Sequence, residues 1–239
     1  MGLRSLLRLN SLFWNHERSL TALLVYLSLS LFLWMPLSSM QWWGFVISDL
    51  LFNLILLSGV FAVLGRWRKQ WFFISIAVLA SSSRIVSYVL DSRWIEVVSF
   101  IVSIIFLGIL ARMVLTHIFK DGPVNFYRIE GSIVVFMIIG IVWALLYNLL
   151  DLVSPGAFSM RNPMATEVPF SQYLYFSFVT MSTLGYGDMV PVNPIAKSLV
   201  IFQGMIGLLY PVIMIARLVS MEVEHSGRLL REREKRMND

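Results

Sequence analysis

The feature that most constrains this chain is a short polar run, residues 180–188, which lies between two long apolar segments. It reads Thr-Met-Ser-Thr-Leu-Gly-Tyr-Gly-Asp, with one tyrosine between its two glycines. Glycine destabilises a helix interior by about 1 kcal/mol relative to alanine, so a helix is unfavourable here. Glycine also adopts backbone conformations that other residues avoid. We therefore predict a non-helical segment that is too polar to cross a membrane by itself.

The apolar composition of the whole chain indicates a polytopic membrane protein. Of its 239 residues, 58% are hydrophobic and 14% are charged, whereas a soluble domain carries about 25% charged residues. The chain contains no cysteine and its histidines lack ligand spacing, so we expect neither disulfides nor a transition-metal site. Each predicted span is near the ~20 residues that cross a bilayer. The spans are 20–36, 43–64, 71–90, 95–119, 129–150 and 195–220.

The distribution of positive charge predicts the orientation of these spans. If the N-terminus is cytosolic, only Arg84, Arg93, Arg161 and Lys197 fall on the opposite side or in its leaflet. Lysine and arginine favour the cytosolic side of membrane proteins, so both termini are predicted to be cytosolic and Asp188 to face outward. The same asymmetry explains the net charge of +5, and we predict no nucleic-acid partner.

The polar run has the composition of a cation-binding ribbon. An extended strand that alternates between left- and right-handed residues turns successive carbonyl groups the same way. Four such strands around one axis would stack rings of carbonyl oxygen, which can replace the water around a desolvated cation. The Thr183 hydroxyl would add a ring at the inner end. One chain supplies a quarter of each ring, so we expect a cyclic homotetramer.

Residues 183–188, Thr-Leu-Gly-Tyr-Gly-Asp, resemble the potassium-channel signature, in which the position of Leu184 is usually Val or Ile. Residues 170–180 resemble the pore helix that precedes this signature, with Tyr175 and Phe176 where the family often has a tryptophan pair. The whole layout resembles bacterial six-segment potassium channels of the Kch type without their nucleotide-binding regulatory domain. The resemblance is specific over the pore unit, and over the peripheral unit it rests on span count and order.

The resemblance implies passive K⁺ conduction across the cell (inner) membrane, with K⁺ as the permeant ligand and no cofactor. Asp188 is expected to brace the filter by a hydrogen bond to a pore-helix aromatic, either Tyr175 or Tyr173. Ser182 and Thr180 are expected to support the filter as well. In the selectivity filter, Gly187 lets the strand turn outward and the remaining residues supply the oxygen ligands of K⁺: Thr183, Leu184, Gly185 and Tyr186.

The predicted fold class is an all-α polytopic membrane protein with six transmembrane helices, a re-entrant pore helix and a filter, assembled as a four-fold tetramer. Residues 1–19 form a cytosolic segment and residues 20–119 a four-helix, voltage-sensor-like peripheral unit. Residues 120–221 form the pore unit. The charged tail, residues 222–239, is either a helix that extends the last span or a frayed cytosolic segment.

Three residues of the last span are candidates for a gate or hinge. Gly207 falls where related channels have a flexible inner-helix hinge, and Gly204 could instead allow close helix packing. Pro211 removes one helix hydrogen bond and favours a kink.

Two ionisable residues of the peripheral unit are predicted to pair within the membrane. An ionised group there costs on the order of 3 kcal/mol, so Asp49 and Arg84 are expected to be partners. Asp91 and Glu96 are rival partners for Arg84.

The peripheral unit lacks the charges of a strong voltage sensor. Strong sensors move 3–4 charges per subunit, and the fourth span has no basic residue between Arg93 and Arg112. We therefore expect weak voltage dependence. The alternatives are a voltage-gated channel with an atypical sensor and a non-conducting membrane scaffold that retains a pore-like sequence. The chain shows no nucleophile elbow, phosphate loop or metal-ligand cluster, so we predict no enzymatic activity.

Overall fold

A computed structural model of the chain describes residues 16–38, 93–120, 124–160 and 168–238, together with the single residues Asn53, Ser75, Val78 and Ser82. Within these residues the chain forms five helices and two short strands. The predicted second and third spans, 43–64 and 71–90, lie outside the described residues apart from those four positions. The elements are α1 (His16–Ser38), α2 (Arg93–Ile118), α3 (Phe126–Val153), β1 (Phe158–Met160), α4 (Phe170–Met181), β2 (Met189–Pro191) and α5 (Pro194–Asn238).

Helices α1, α2, α3 and α5 contain the four described segments that are long and apolar enough to cross a membrane. They correspond to the predicted first, fourth, fifth and sixth spans, and each helix extends beyond its prediction by at least one residue at one end. The extension of α3 is set by its cap, because the Asn125 side chain accepts a hydrogen bond from the backbone N–H of Arg128 at 3.2 Å.

Helix α3 lies at the centre of the described fold, packed against α1, α2 and α4. Its buried positions include Val134, Ile138, Ile141 and Leu145, which recur at helical spacing. Helix α4 comes close to α3 at Gly140. A Cβ atom on this glycine would lie 2.6 Å from the ring of Phe178 of α4. The sequence therefore places the smallest side chain where the two helices meet.

Helix α2 is fixed to both ends of α3. Arg93, at its beginning, donates a hydrogen bond from its guanidinium to the carbonyl of Leu152 near the end of α3. At the other end, Ile118 packs on Gly131, where an added Cβ would lie 3.1 Å from the isoleucine Cγ1. The buried stripe of α2, which includes Phe106 and Leu107, faces the same core.

After residue 150, where the predicted fifth span ends, the chain has regular structure that the sequence did not predict. Helix α3 continues to Val153, and β1 pairs with β2 in antiparallel register, with Phe158 opposite Pro191 and Met160 opposite Met189. This small sheet also departs from the all-α prediction. A three-residue strand is too short to show a sequence period, and its partner lies beyond α4 in the chain. The sheet joins the chain before α4 to the chain after the polar run.

Helix α5 is continuous from Pro194 to Asn238. Asn193 caps its beginning by accepting a hydrogen bond from the backbone N–H of Ala196 at 2.6 Å, and Pro194 occupies the first helical position. The helix passes through Pro211 and through the charged tail. Of the two alternatives for residues 222–239, the structure has the helix that extends the last span.

The two helices that flank the polar run differ in how far the chain covers them. Within the segment of each helix that could span a membrane, 56% of α3 is buried but only 17% of α5. Large apolar side chains such as Ile201, Leu208 and Val212 are exposed on α5. One chain therefore buries its outer helix and leaves most of its inner helix open to lipid or to other chains.

Candidate functional site

The backbone of residues 183–187 alternates between left-handed and right-handed conformations. The φ angle is +59° at Thr183, +54° at Gly185 and +73° at Gly187, and it is not positive at Leu184 or Tyr186 between them. Among the described residues, Gly156 in a turn is the one other position with positive φ. The alternation expected from the sequence is present from residue 183 to residue 187.

Thr183 takes its left-handed conformation where α4 ends. Its backbone N–H donates to the carbonyl of Thr180 at 3.1 Å, and the N–H of Leu184 donates to the carbonyl of Val179 at 3.0 Å. These two bonds form a Schellman motif, whose left-handed position is usually glycine. A β-branched residue with positive φ is an outlier, and such strain costs on the order of 1–3 kcal/mol. The presence of threonine there points to a role for its side chain.

The other two hydroxyl residues near this turn act on the helix end. Ser182 donates its hydroxyl to the carbonyl of Phe178 at 2.7 Å, which satisfies a carbonyl of the last helical turn. Thr180 is half-buried and contributes its carbonyl to the Schellman motif. The structure thus places both predicted support residues in the turn at the beginning of the polar run.

Asp188 is held at the far end of the run. Its Oδ2 accepts a hydrogen bond from the hydroxyl of Tyr175 at 2.7 Å, and its Oδ1 accepts one from the backbone N–H of Met189 at 3.0 Å. Burial raises the pKa of Tyr175 to about 12, and the hydrogen bond to Asp188 and its negative charge act in the same direction. Tyr175 is therefore a neutral hydrogen-bond donor at physiological pH.

Tyr173, the other candidate partner of Asp188, pairs with Asp151 instead. Its hydroxyl donates to Oδ2 of Asp151 at 2.6 Å, and Oδ1 of Asp151 accepts a bond from the backbone N–H of Ala157 at 2.9 Å. Burial first, and Asp151 second, raise the pKa of Tyr173. Asp151 lies in the last turn of α3, beyond the predicted end of the fifth span, and this pair was not predicted from the sequence. Two tyrosine–aspartate bonds therefore hold α4 and the polar run. The bond to Asp151 fixes the beginning of α4, and the bond to Asp188 fixes the end of the polar run.

A buried polar network behind α4 was also missed. Gln203 of α5 accepts a hydrogen bond from the hydroxyl of Tyr147 of α3. Its amide nitrogen donates to Oγ of Ser177 at 2.7 Å and to the carbonyl of the same residue at 3.1 Å. Ser177 in turn donates its hydroxyl to the carbonyl of Gly140 at 2.7 Å. An amide in the middle of an apolar span is the sequence signal that could have drawn attention to Gln203.

Aromatic rings surround the network. Tyr147 lies 5.3 Å from Phe176 and 5.2 Å from Phe158, measured between ring centroids, and Phe158 lies 5.8 Å from Tyr173. Centroid separations of 4.5–7 Å are those at which aromatic pairs attract each other. Phe176 occupies one position of the expected tryptophan pair. The ring cluster beside it comes from α3 and β1, which the sequence resemblance did not identify.

The gate and hinge candidates on α5 lie in different surroundings. A Cβ atom on Gly207 would lie 2.6 Å from the carbonyl oxygen of Met181 and 2.7 Å from its Cα, whereas one on Gly204 would meet nothing within 4 Å. Within this chain the close-packing glycine is therefore Gly207, and the packing role suggested for Gly204 is not seen. Pro211 lies inside the helix and lacks the N–H that would bond the carbonyl of Gly207.

Two further expectations concern charge. The predicted pair of Asp49 and Arg84 lies outside the described residues. Among the residues that the structure describes, histidines and carboxylates form no group of three that could hold a metal ion.

Residues 132–224 match the family model described as an ion channel. The match supports an ion channel. It begins in α3 and ends in α5, so it contains α4, the polar run and both flanking helices, and it leaves α1 and α2 outside. Comparison with curated proteins and with solved structures found no match.

Proposed function

We propose that this chain is the subunit of a potassium-selective channel that conducts K⁺ passively through a homotetrameric pore. The observation that carries the proposal is the positive φ at Thr183, Gly185 and Gly187, with residues of the opposite hand between them. This alternation turns successive carbonyl groups to one side of the strand. Such a row of oxygens is the ligand set that replaces the hydration shell of K⁺.

The ligands in this proposal are the carbonyl oxygens of Thr183, Leu184, Gly185 and Tyr186, with the Thr183 hydroxyl at the inner end. The side chains of Leu184 and Tyr186 are 58% and 66% exposed in the single chain. Apolar and aromatic side chains with that exposure are expected to be covered by neighbouring subunits when the carbonyls face a common axis. Gly187 then lets the strand turn outward to Asp188.

The tetramer follows from the need to close the oxygen rings, because one chain has one such strand. The poor coverage of α5 supports it, since only 17% of its membrane segment is buried. In a cyclic assembly, part of this open helix faces other subunits and part lines the central conduit. The polar run and α5 are then shared between subunits, whereas the well-covered α3 belongs to one.

Weak voltage dependence is also part of the proposal. The segment between Arg93 and Arg112 contains no basic residue, and Arg93 is bound to the carbonyl of Leu152. A bound charge at the end of α2 does not move through the membrane field. The channel is placed in the cell membrane with both termini in the cytosol, as the distribution of lysine and arginine predicts.

Ion flux from purified protein in liposomes tests the proposal. We expect K⁺ to pass and Na⁺ to be excluded. Gly185→Ala places a Cβ at positive φ in the filter and should abolish the flux, because L residues avoid that conformation. Gly156→Ala is the matched control: its φ is +81° and the space around it is also open, but it lies in the turn before β1.

Equal passage of Na⁺ and K⁺ would overturn the proposal of selectivity. A folded, tetrameric protein with no flux would favour the non-conducting scaffold. A steep dependence of the flux on membrane potential would favour the voltage-gated alternative.

A further inference from the structure

The buried network around Gln203 joins the three helices that enclose the polar run. Tyr147, Ser177 and Gln203 are each fully buried. Tyr147 belongs to α3, Ser177 to α4 and Gln203 to α5, so the network has one member on each helix. A buried polar network in which every member is bonded fixes the relative placement of its elements.

The chemistry of the network requires a glutamine at its centre. The side chain must accept a hydrogen bond from the Tyr147 hydroxyl and donate to Ser177, and an amide does both at once. A leucine would leave the Tyr147 hydroxyl and the Ser177 oxygens without this partner. A glutamate would have to be protonated to donate, because an ionised carboxylate only accepts and is costly to bury.

A second contact between α5 and α4 lies close to the network. Gln203 contacts Ser177, and one helical turn further along α5, Gly207 meets the backbone of Met181. The two contacts are separated by four residues on both helices, so each helix uses one face. The hydrogen bond at Ser177 and the backbone contact at Met181 together fix the position of α4 along its axis and its rotation about that axis.

The end of α4 sets the start of the filter. The carbonyls of Val179 and Thr180, which follow Ser177 in the chain, accept the bonds that hold Leu184 and Thr183. A shift or rotation of α4 therefore moves the positions from which the carbonyl row begins. Oxygen rings select an ion by their spacing and field, so such a shift changes which ion fits.

We propose that Gln203 is a positioning residue that determines ion selectivity by fixing α4 and the filter against α5. This inference rests on the proposed channel function. It assigns a selectivity role to an inner-helix side chain that is buried behind α4 and does not touch the ion.

The test compares the K⁺ to Na⁺ permeability ratio of wild-type tetramers in liposomes with that of Gln203→Leu. We expect the ratio to fall by about tenfold, which corresponds to the net free energy of one hydrogen bond. Gln172→Leu is the matched control, because it makes the same chemical change near the beginning of α4, outside the network. Its ratio should equal that of the wild type.

If Gln203→Leu does not assemble, the permeability ratio of Ser177→Ala tests the same inference. Ser177→Ala removes one acceptor of Gln203 and the bond to Gly140 but leaves the Ser177 carbonyl, so the ratio should fall by a smaller factor. A merely structural role would lower thermal stability in both variants and leave the ratio unchanged. That result would overturn the inference. A wild-type protein without K⁺ selectivity would instead overturn the proposed function.

Discussion

The hydroxyl of Tyr175 donates a hydrogen bond to Asp188 at 2.7 Å. The two residues stand on either side of the filter, one on α4 before it and one directly after it. The bond therefore closes a bridge across residues 183–187, whose backbone contains three left-handed positions. The strained ribbon is held at its inner end by the Schellman motif and at its outer end by this bridge.

Removal of the bridge should loosen the outer end of the filter. Tyr175→Phe deletes the donor and leaves the Asp188 carboxylate, so we expect a loss of about 1–3 kcal/mol in the free energy of unfolding. K⁺ flux should decay faster over time than in the wild type. Tyr127→Phe, which makes the same change at the beginning of α3 and outside the polar run, is the control. An unchanged unfolding midpoint in Tyr175→Phe would contradict a supporting role.

The contribution of Tyr175 should vanish only at alkaline pH. Burial raises its folded pKa to about 12, above the ordinary value of a tyrosine. A group with a raised folded pKa stabilises the fold fully below the unfolded value and loses that contribution as pH rises through the folded value. The stability difference between wild type and Tyr175→Phe should be constant up to about pH 10 and shrink towards pH 12. Chemical unfolding at graded pH measures it.

Gly204 and Gly207 of α5 should respond oppositely to alanine. In Gly207→Ala the new Cβ would lie 2.6 Å from a backbone oxygen of Met181, so overpacking should cost about 1–3 kcal/mol. In Gly204→Ala the space within the chain is open, and the better helix propensity of alanine should add up to about 1 kcal/mol. Thermal unfolding of the purified tetramer compares them. Equal midpoints would show that the contact with Met181 is not tight.

Replacement of Thr183 by glycine should increase stability and reduce K⁺ selectivity. Thr183→Gly removes the Cβ from a left-handed position and should raise the free energy of unfolding by about 1 kcal/mol. It also removes the hydroxyl that we propose as the innermost ligand, so K⁺ selectivity should fall. Thr183→Ser keeps the hydroxyl and should retain selectivity. If Thr183→Gly were as selective as the wild type, the side chain would not be a ligand.

Voltage dependence can be measured directly in planar bilayers. Each charge that crosses the field is worth about 2.3 kcal/mol per 100 mV, so the slope of the conductance–voltage curve counts the moving charges. We expect fewer than about one charge per subunit, because α2 has no basic residue between Arg93 and Arg112. Arg93→Gln should leave the slope unchanged. A slope that required several charges per subunit would show that the sensor lies elsewhere in the peripheral unit.

The sequence predicted the parts of the fold that depend on local pattern. The first, fourth, fifth and sixth spans and the helix at 170–180 follow from apolar length and resemblance. The structure has them with shifts of a few residues at their ends, except that α5 continues past residue 220 to Asn238. The alternation from residue 183 to residue 187 follows from the placement of two glycines. The hydrogen bond between Asp188 and Tyr175 was one of the two options that the resemblance implied.

The parts that escaped prediction depend on contacts between distant residues. Gln203 bonds Tyr147, which lies 56 positions earlier in the chain, and β1 pairs with a strand beyond α4. The amide of Gln203 is unusual in an apolar span, but nothing in the neighbouring sequence identifies its distant partner, and a three-residue strand is too short to show a period. Gly207 illustrates the same limit, because Gly204 and Gly207 have the same sequence signature and only the packing distinguishes them.

The unbroken course of α5 has a geometric consequence for the part of the chain that follows Gly207. At 1.5 Å per residue, its 45 residues measure about 68 Å, more than twice the ~30 Å of bilayer hydrocarbon. Asn238 then stands about 46 Å from Gly207 along the axis. A tilt of about 5° about that glycine would sweep the far end through about 4 Å. The part of α5 beyond Gly207 is thus a long lever arm. A small sideways force on it acts at the contact between Gly207 and Met181, where α4 ends and the polar run begins.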